Sequence, residues 1–357
     1  MGFDITAIDK AFKLETSINR TDVEFYCATS RPFKLYGVYH DGTQFRRMPG
    51  EIAEAANPGV FRLSTNTSGG RVRFVTDSPY VAIRAELPHN VHFAHMALAG
   101  VAGFDMYVTE NGRQKYVAPF MPKYDFEDFF ERIEWFDGEN KSRLVTINFP
   151  LYNDVYNLYI GLKEGSHVNE PPEYTVSDPI VYYGSSITQG GCASRPGNCY
   201  AALLSRRYDA DYINLGFSGS GKGEAVMAEY IAGLKMSAFV MDYDHNAPGV
   251  AEYECTHEPF FKTVRSKNPD LPIIMATRPK VKSFMNEKER ARIPIAERTY
   301  KNALAAGDKN VYFIPGYELM ELAGDGGLVD FHHPTDLGFF SMAKRFAAEL
   351  DKIFKPI

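Results

Sequence analysis

Asp178-Pro179-Ile180-Val181-Tyr182-Tyr183-Gly184-Ser185-Ser186-Ile187-Thr188-Gln189-Gly190 is the stretch on which the reading of this chain turns. Ile180 to Tyr183 form a short apolar run stopped by Gly184 and a polar turn, the pattern of a strand buried on both faces. Toward the C-terminus, residues 200–208 carry a helical period and Tyr212-Ile213-Asn214-Leu215 read as a second strand. The alternation then repeats. Helices are expected over 224–234, 260–267 and 287–306, with strands at Phe239-Val240-Met241, Ile273-Ile274-Met275 and Val311-Tyr312-Phe313-Ile314. A last helix opens at Thr335 or Asp336 as its cap and runs to the neighbourhood of Phe354. Apolar strands separated by helices predict a parallel sheet covered on both faces, with ligands at the carboxyl ends of its strands.

Upstream of this stretch the period changes to two. Val72, Phe74 and Thr76 alternate with polar partners, and so do Val81, Ile83, Ala85 and Leu87 after the turn at Asp77-Ser78-Pro79. Met106, Val108 and Tyr116 flank Asn111-Gly112, a dipeptide suited to the positive φ angles of a tight hairpin. Val145, Ile147 and Phe149 pair in pattern with Leu158, Ile160 and Leu162 across Tyr152-Asn153-Asp154. Many short half-buried strands predict an antiparallel sandwich or jelly roll. The aromatic and acidic residues 125–135 read as a helical or loop insertion. Residues 164–172, polar with Gly and two prolines, read as the junction. The chain therefore divides into an all-β accessory domain over 1–172 and a three-layer α/β/α domain over 173–357.

The composition bounds the function classes. The 357 residues are 45% hydrophobic and 24% charged, an ordinary globular balance. Thirty-nine Lys and Arg against 45 Asp and Glu leave a net charge of −6, so no partnership with nucleic acid or anionic lipid is expected. No apolar run approaches the ~18 residues of a membrane helix. The opening residues lack a basic and apolar leader, so a cytoplasmic location is expected. Met1-Gly2 followed by Thr6 only loosely fits a myristoylation pattern, without a polybasic second anchor. Cys192 and Cys199 lie too far apart for a redox or zinc motif, and free thiols are expected of them in a reducing compartment.

The residues following each strand of the second half carry the chemistry. They are Gly184-Ser185-Ser186, then Gly216-Phe217-Ser218-Gly219, then Asp244-His245-Asn246, and near the end Asp330-Phe331-His332-His333-Pro334. All fall on one rim of the sheet. Together they supply what acyl transfer needs: a hydroxyl nucleophile, a base, an orienting carboxylate and donors for an oxyanion.

This set resembles the SGNH (GDSL-like) hydrolase superfamily of serine esterases and acyltransferases, over about residues 178–357. The resemblance implies a flavodoxin-like sheet and a site without metal or organic cofactor. Residue by residue it makes Ser186 the nucleophile and Asp330 and His333 the other members of the triad. His332 is the neighbour of the matching histidine. The oxyanion hole would take the N–H groups of Ser186 and Gly219 and the Asn246 side chain. Two positions depart from the family pattern: Ser185 stands where the family has Asp, and Asp244-His245-Asn246-Ala247 stands where it has Gly-x-Asn-Asp.

Each block alone has a plainer reading. Gly184-Ser185-Ser186 is also a polar turn into a helix, and Asp330-x-x-His333 is also a helix-entry cap; four ordered blocks at strand ends are not so easily explained. Thr188 breaks the Gly-x-Ser-x-Gly pattern of α/β-hydrolases. Gly216, Gly219, Gly221 and Gly223 lack the closing Gly-Lys-Ser/Thr of a phosphate loop. His89, His92 and His95 are spaced like a metal face but lack an accompanying carboxylate or cysteine, and read as structural. His257-Glu258 lacks the second His of a zinc protease helix.

The expected substrate is a small acyl ester, acetyl above all, of a sugar or glycoconjugate. A β-sandwich ahead of such a domain resembles the arrangement of several carbohydrate acetyl esterases and of certain acyltransferases. Arg195, Arg278 and His245 are candidates to meet polar or anionic substrate groups, and Tyr124, Phe126 and Trp135 to stack on sugar faces. An acyltransferase with the same triad is the alternative, and a non-catalytic carbohydrate-binding protein the rival from another class. Self-association through the β half is left open.

Overall fold

The computed structural model describes residues 18–138 and 141–357. The Met1-Gly2 pattern with Thr6 lies outside the described residues. The first half is two antiparallel sheets. One has four strands in the order Val23–Cys27, Asn157–Lys163, Tyr80–Glu86, Phe129–Trp135. The other runs Val168–Asn169, Arg71–Thr76, Arg143–Asn148, Phe104–Glu110, Arg113–Phe120, with Lys34–Tyr36 also paired to Arg71–Thr76. Alternation decides which side chains meet: Ile83, Leu158 and Ile160 from one sheet share a core with Phe74, Met106, Val145 and Ile147 from the other. Asn111 at φ 50° and Gly112 at φ 77° make the tight turn that the dipeptide announced.

Residues 125–135 correct the expectation of a helical or loop insertion. Phe129–Trp135 is an edge strand pairing antiparallel with Tyr80–Glu86. Its charged members pair along the sheet, Arg132 with Glu134 at 3.0 Å, and this charge masked the alternation. Val168–Asn169, in the expected junction, adds a short strand to the second sheet.

The second half holds five parallel strands in the order Ala210–Gly216, Val176–Gly184, Ala238–Asp242, Ile273–Ala276, Val311–Ile314. Side chains of Val176–Gly184 alternate between two cores. Ile180 and Tyr182 face helices Tyr200–Tyr208 and Asp336–Leu350, whereas Val181 and Tyr183 face Ala225–Ala232, Val250–Lys267 and Glu287–Ala305. Val250–Lys267 starts well before the expected residue 260. Pro259 reads as a helix start but lies inside this helix, whose Tyr253 and His257 are buried one turn apart. The last helix is capped by Thr335, whose hydroxyl accepts from the Gly338 N–H at 3.3 Å.

The halves share one hydrophobic core: the cluster between the antiparallel sheets continues into the face of the parallel sheet carrying Tyr200 and Phe346. Buried arginines of the first half reach strand carbonyls of the second. Arg47 donates to Asn214 O at 3.0 Å and Gly216 O at 2.7 Å, and Arg71 donates to Tyr212 O at 3.1 Å. The order 2-1-3-4-5 puts the topological switch point beside Val176–Gly184, where a ligand crevice is expected. Among the described residues, no helix is long and apolar enough to cross a membrane.

Candidate active site

The strand Val176–Gly184 ends at the switch point and turns directly into the single helical turn Ser186–Gln189. Gly184 permits the turn: a Cβ there would lie 2.1 Å from Thr188 Oγ1 and 2.4 Å from Asp242 O. Ser185 caps it, accepting from the Ile187 N–H at 3.1 Å while its own N–H donates to Thr188 Oγ1 at 3.1 Å. The departure from the family's Asp thus keeps an oxygen acceptor at the cap. Ser186 is the first residue of the turn, so its N–H has no partner within the turn.

Ser186 Oγ lies 3.0 Å from His333 Nε2, and His333 Nδ1 lies 2.8 Å from Asp330 Oδ2. The other carboxylate oxygen, Asp330 Oδ1, accepts the N–H groups of His332 at 3.1 Å and His333 at 2.8 Å. Burial pushes the Asp330 carboxyl up, but the hydrogen bonds from His333 outweigh it and hold the group at about 2. This loop is pinned from behind. Lys280, buried, donates to Phe331 O at 2.7 Å, and Phe331 is held at φ 65°.

Two further loops reach the same rim. Asn214 donates to Thr188 O at 2.7 Å, and Gly216 lets the second strand press against the Ser186–Gln189 turn, since a Cβ there would meet Gln189 N at 2.2 Å. Gly219 follows at φ 67° in open space, so its backbone conformation and not crowding calls for glycine. Asn246 ends the short turn Asp244–Asn246 and donates from Nδ2 to Phe217 O at 2.8 Å, which ties the third loop to the second.

Asp244 anchors that turn in a buried ionic cluster. Its carboxylate accepts from Arg278 N at 2.8 Å, Arg278 Nη2 at 3.3 Å and Arg292 Nη1 at 3.0 Å. Arg278 Nη1 also reaches Glu289 Oε1 at 3.2 Å, and Lys280 Nζ stands 3.6 Å from the same oxygen. Arg278, expected to meet substrate, is therefore committed to carboxylates inside the protein. Arg195 likewise pairs with buried Asp105 at 2.7 Å and with the Tyr107 hydroxyl, its guanidinium 3.9 Å over the Tyr116 ring. His245 is partly buried, with Nδ1 shut away from solvent; burial first, then the charge of Arg278, pushes it down to about 3, so the ring is neutral. Arg195 and Arg278 thus have carboxylate partners within the protein. Of the stacking candidates, Phe126 is core, Trp135 packs on Tyr80 with Arg20 over its ring, and Tyr124 is exposed against His92 at a ring distance of 4.2 Å.

A buried acid lies against the Ser186–Gln189 turn. Asp242 accepts from Tyr200 OH at 3.1 Å and Thr188 Oγ1 at 3.3 Å; burial outweighs both bonds and pushes it up to about 8.

Sequence reasoning missed the contribution of the first half. His95 Nε2 stands 3.8 Å from Asp330 Oδ2, and its ring 5.4 Å from that of His333. With Phe93, Met96, Tyr152, Cys192 and His333 it lines a cavity of about 170 Å³ beside the triad. Tyr152 OH donates to Ser186 O at 3.0 Å. The spacing of His89, His92 and His95 was the one available signal, and nothing in it pointed to a loop some 240 residues away. A second hollow of about 330 Å³ is lined by Asp330 itself with Asp325, Phe284, Leu328, Val329 and Phe331. Burial first, then the charge of Asp330, pushes the Cys192 thiol up to about 12.

Comparison with known proteins gives two matches along the chain. Residues 177–354 match the model of the GDSL-like lipase/acylhydrolase family, and residues 23–168 match that of the N-terminus of Esterase_SGNH_hydro-type proteins. A protein of Bacteroides ovatus described as a GDSL-like lipase superposes with a TM-score of 0.84 at 29% identity, over 94% of this chain and 99% of that one. The salicylyl-acyltransferase SsfX3 from a tetracycline biosynthetic pathway superposes at 0.76 and 19% identity, over 94% and 98%. An acetyl xylan esterase of the rumen bacterium Butyrivibrio proteoclasticus does so at 0.60 and 14%, over 93% and 98%. No protein of curated function matches the chain in sequence.

Proposed function

The chain belongs to the GDSL-like lipase/acylhydrolase (SGNH) family, and from that premise we propose that it is a serine esterase that removes small acyl groups, acetyl above all, from a carbohydrate or related glycoconjugate. The observation that carries the chemistry is the unbroken hydrogen-bond chain from Asp330 through His333 to Ser186, with links of 2.8 and 3.0 Å.

His333 takes the Ser186 proton at Nε2 as Oγ attacks the ester carbonyl. Asp330, ionised at any pH above about 2, holds Nδ1–H and stabilises the imidazolium. The oxyanion accepts from Ser186 N–H, Gly219 N–H and the second Asn246 Nδ2 hydrogen, the first being bound to Phe217 O. The alcohol leaves with the proton from His333, and water then attacks the acyl-enzyme by the same route in reverse.

The cavity of about 170 Å³ supports a short acyl group, because a cavity of about 150 Å³ is filled by one benzene ring. The likeness to an acetyl xylan esterase and to a salicylyl-acyltransferase bears on the fold alone. The choice of a sugar alcohol rests on Tyr124, an exposed ring packed against His92 in the segment that also carries His95, and an acyltransferase is the second reading. It is favoured by the hollow at Phe284 and Phe331, which lies against Asp330 and has room for an acceptor. The test is a series of p-nitrophenyl esters of increasing chain length, followed by acetylated sugars with and without added alcohols. Activity falling steeply beyond short acyl groups, with acetate as the product, supports the esterase. Acyl transfer to the alcohol in preference to water would replace it with the transferase.

A further inference from the structure

We propose that His95, Cys192 and His333 form a binding site for Zn²⁺ or a similar thiophilic divalent cation, which switches the enzyme off by taking His333 out of the triad. The switching rests on the triad assignment; the binding does not.

Three donors come together from three segments and both halves of the chain. One ligand atom from each lies within 4.8 Å of the others. Two imidazoles and a thiol are a donor set that suits Zn²⁺, and three protein ligands leave a fourth position for water. Access is graded as an ion entering from solvent requires. His95 is exposed at the mouth, His333 is intermediate and Cys192 is buried at the base of the cavity that all three line. Asp330 completes the arrangement, because Oδ2 holds His333 Nδ1 at 2.8 Å and so leaves Nε2 as the coordinating nitrogen. A carboxylate behind a metal-binding histidine is the usual means of fixing its tautomer.

Zn–N bonds of about 2.0–2.1 Å and a Zn–S bond of about 2.3 Å put tetrahedral donors about 3.3–3.7 Å apart. The observed spread closes with a shift of about 1 Å, within reach of the exposed His95 ring. On binding, the Cys192 thiol proton passes to solvent as the S–Zn bond forms. The His333 Nε2 lone pair leaves the Ser186 hydroxyl for the metal. Nothing is oxidised or reduced. Ser186 then has no base, and the site is silent until the metal is removed.

The full chain, reduced and freed of metal by chelator, is titrated with Co²⁺ and followed for the thiolate-to-cobalt charge-transfer band. It is then assayed with Zn²⁺ and a p-nitrophenyl ester. We expect one Co²⁺ per chain with that band, and Zn²⁺ inhibition reversed by EDTA. Cys192→Ser should lose the band. Cys192→Ser and His95→Gln, each compared with its own metal-free rate, should need about 100-fold more Zn²⁺ or beyond for half-inhibition, since even an outer-shell partner is worth about 10–100-fold. No charge-transfer band in the intact protein, or Zn²⁺ inhibition unchanged in both variants, would overturn the proposal. Ser186→Ala keeps the two claims apart: its ester turnover tests the triad, whereas its cobalt band, which should persist, tests the metal site alone.

Discussion

In the proposed mechanism Ser186, His333 and Asp330 do different work, and their replacements should fail differently. Ser186→Ala removes the nucleophile and should lower kcat by roughly 10⁴–10⁶-fold, with the circular dichroism spectrum unchanged. Asn246→Ala removes a single oxyanion donor and should cost about 10²–10³ in kcat with little change in KM, because that bond is made only in the transition state. That these residues meet on one rim could be expected from sequence because each sits in a short block at the end of a strand. Arg278 shows where such reading stops. Its charge was visible, but Asp244 and Glu289, which bury and neutralise it, come from distant positions and meet it only on folding. His95 and Lys280 escaped for the same reason.

Elements hold these residues in place, and two predictions belong here. Lys280, on the loop after Ile273–Ala276, pins the backbone between Asp330 and His333 through Phe331 O at 2.7 Å. Lys280→Met should lower kcat by roughly 10²-fold and leave KM near its original value, and Lys280→Arg should restore part of the loss. An equal rise in KM would contradict this positioning role. The second concerns Asp242, at the end of Ala238–Asp242. Its folded value of about 8 lies above the usual 3.8, so folding takes up a proton between those limits. Stability from this group is therefore full below about 4 and declines as pH rises toward 8. Asp242→Asn should flatten the fall of Tm between pH 5 and 8 relative to the unsubstituted protein, read by thermal melts; parallel curves would refute the assignment. At this scale the sequence pattern served well for the parallel strands, which are continuous apolar runs. It failed for Phe129–Trp135, where paired charges on an edge strand hide the alternation, and for Val250–Lys267, where Pro259 imitates a helix start.

The whole molecule makes the site from both halves. Phe93, His95, Met96 and Tyr152 wall the cavity beside His333, and one hydrophobic core passes from the antiparallel sheets to the parallel sheet. A chain beginning at residue 173 would expose that core face and lose the wall. It should lack a cooperative melting transition and near-ultraviolet dichroism, whereas a cooperative, active fragment would show the β half to be dispensable. The change from antiparallel to parallel sheets was visible from the two periodicities, but this dependence was not, since it consists of contacts between distant segments. The central claim remains that Ser186 forms an acyl-enzyme with the help of His333 and Asp330. It is tested most directly by mixing the protein with p-nitrophenyl acetate, quenching in acid before deacylation, and measuring the intact and peptide masses. The account predicts one acetyl group per chain, carried on Ser186 and absent from Ser186→Ala. An acetyl group on another residue, or undiminished turnover by Ser186→Ala, would contradict it.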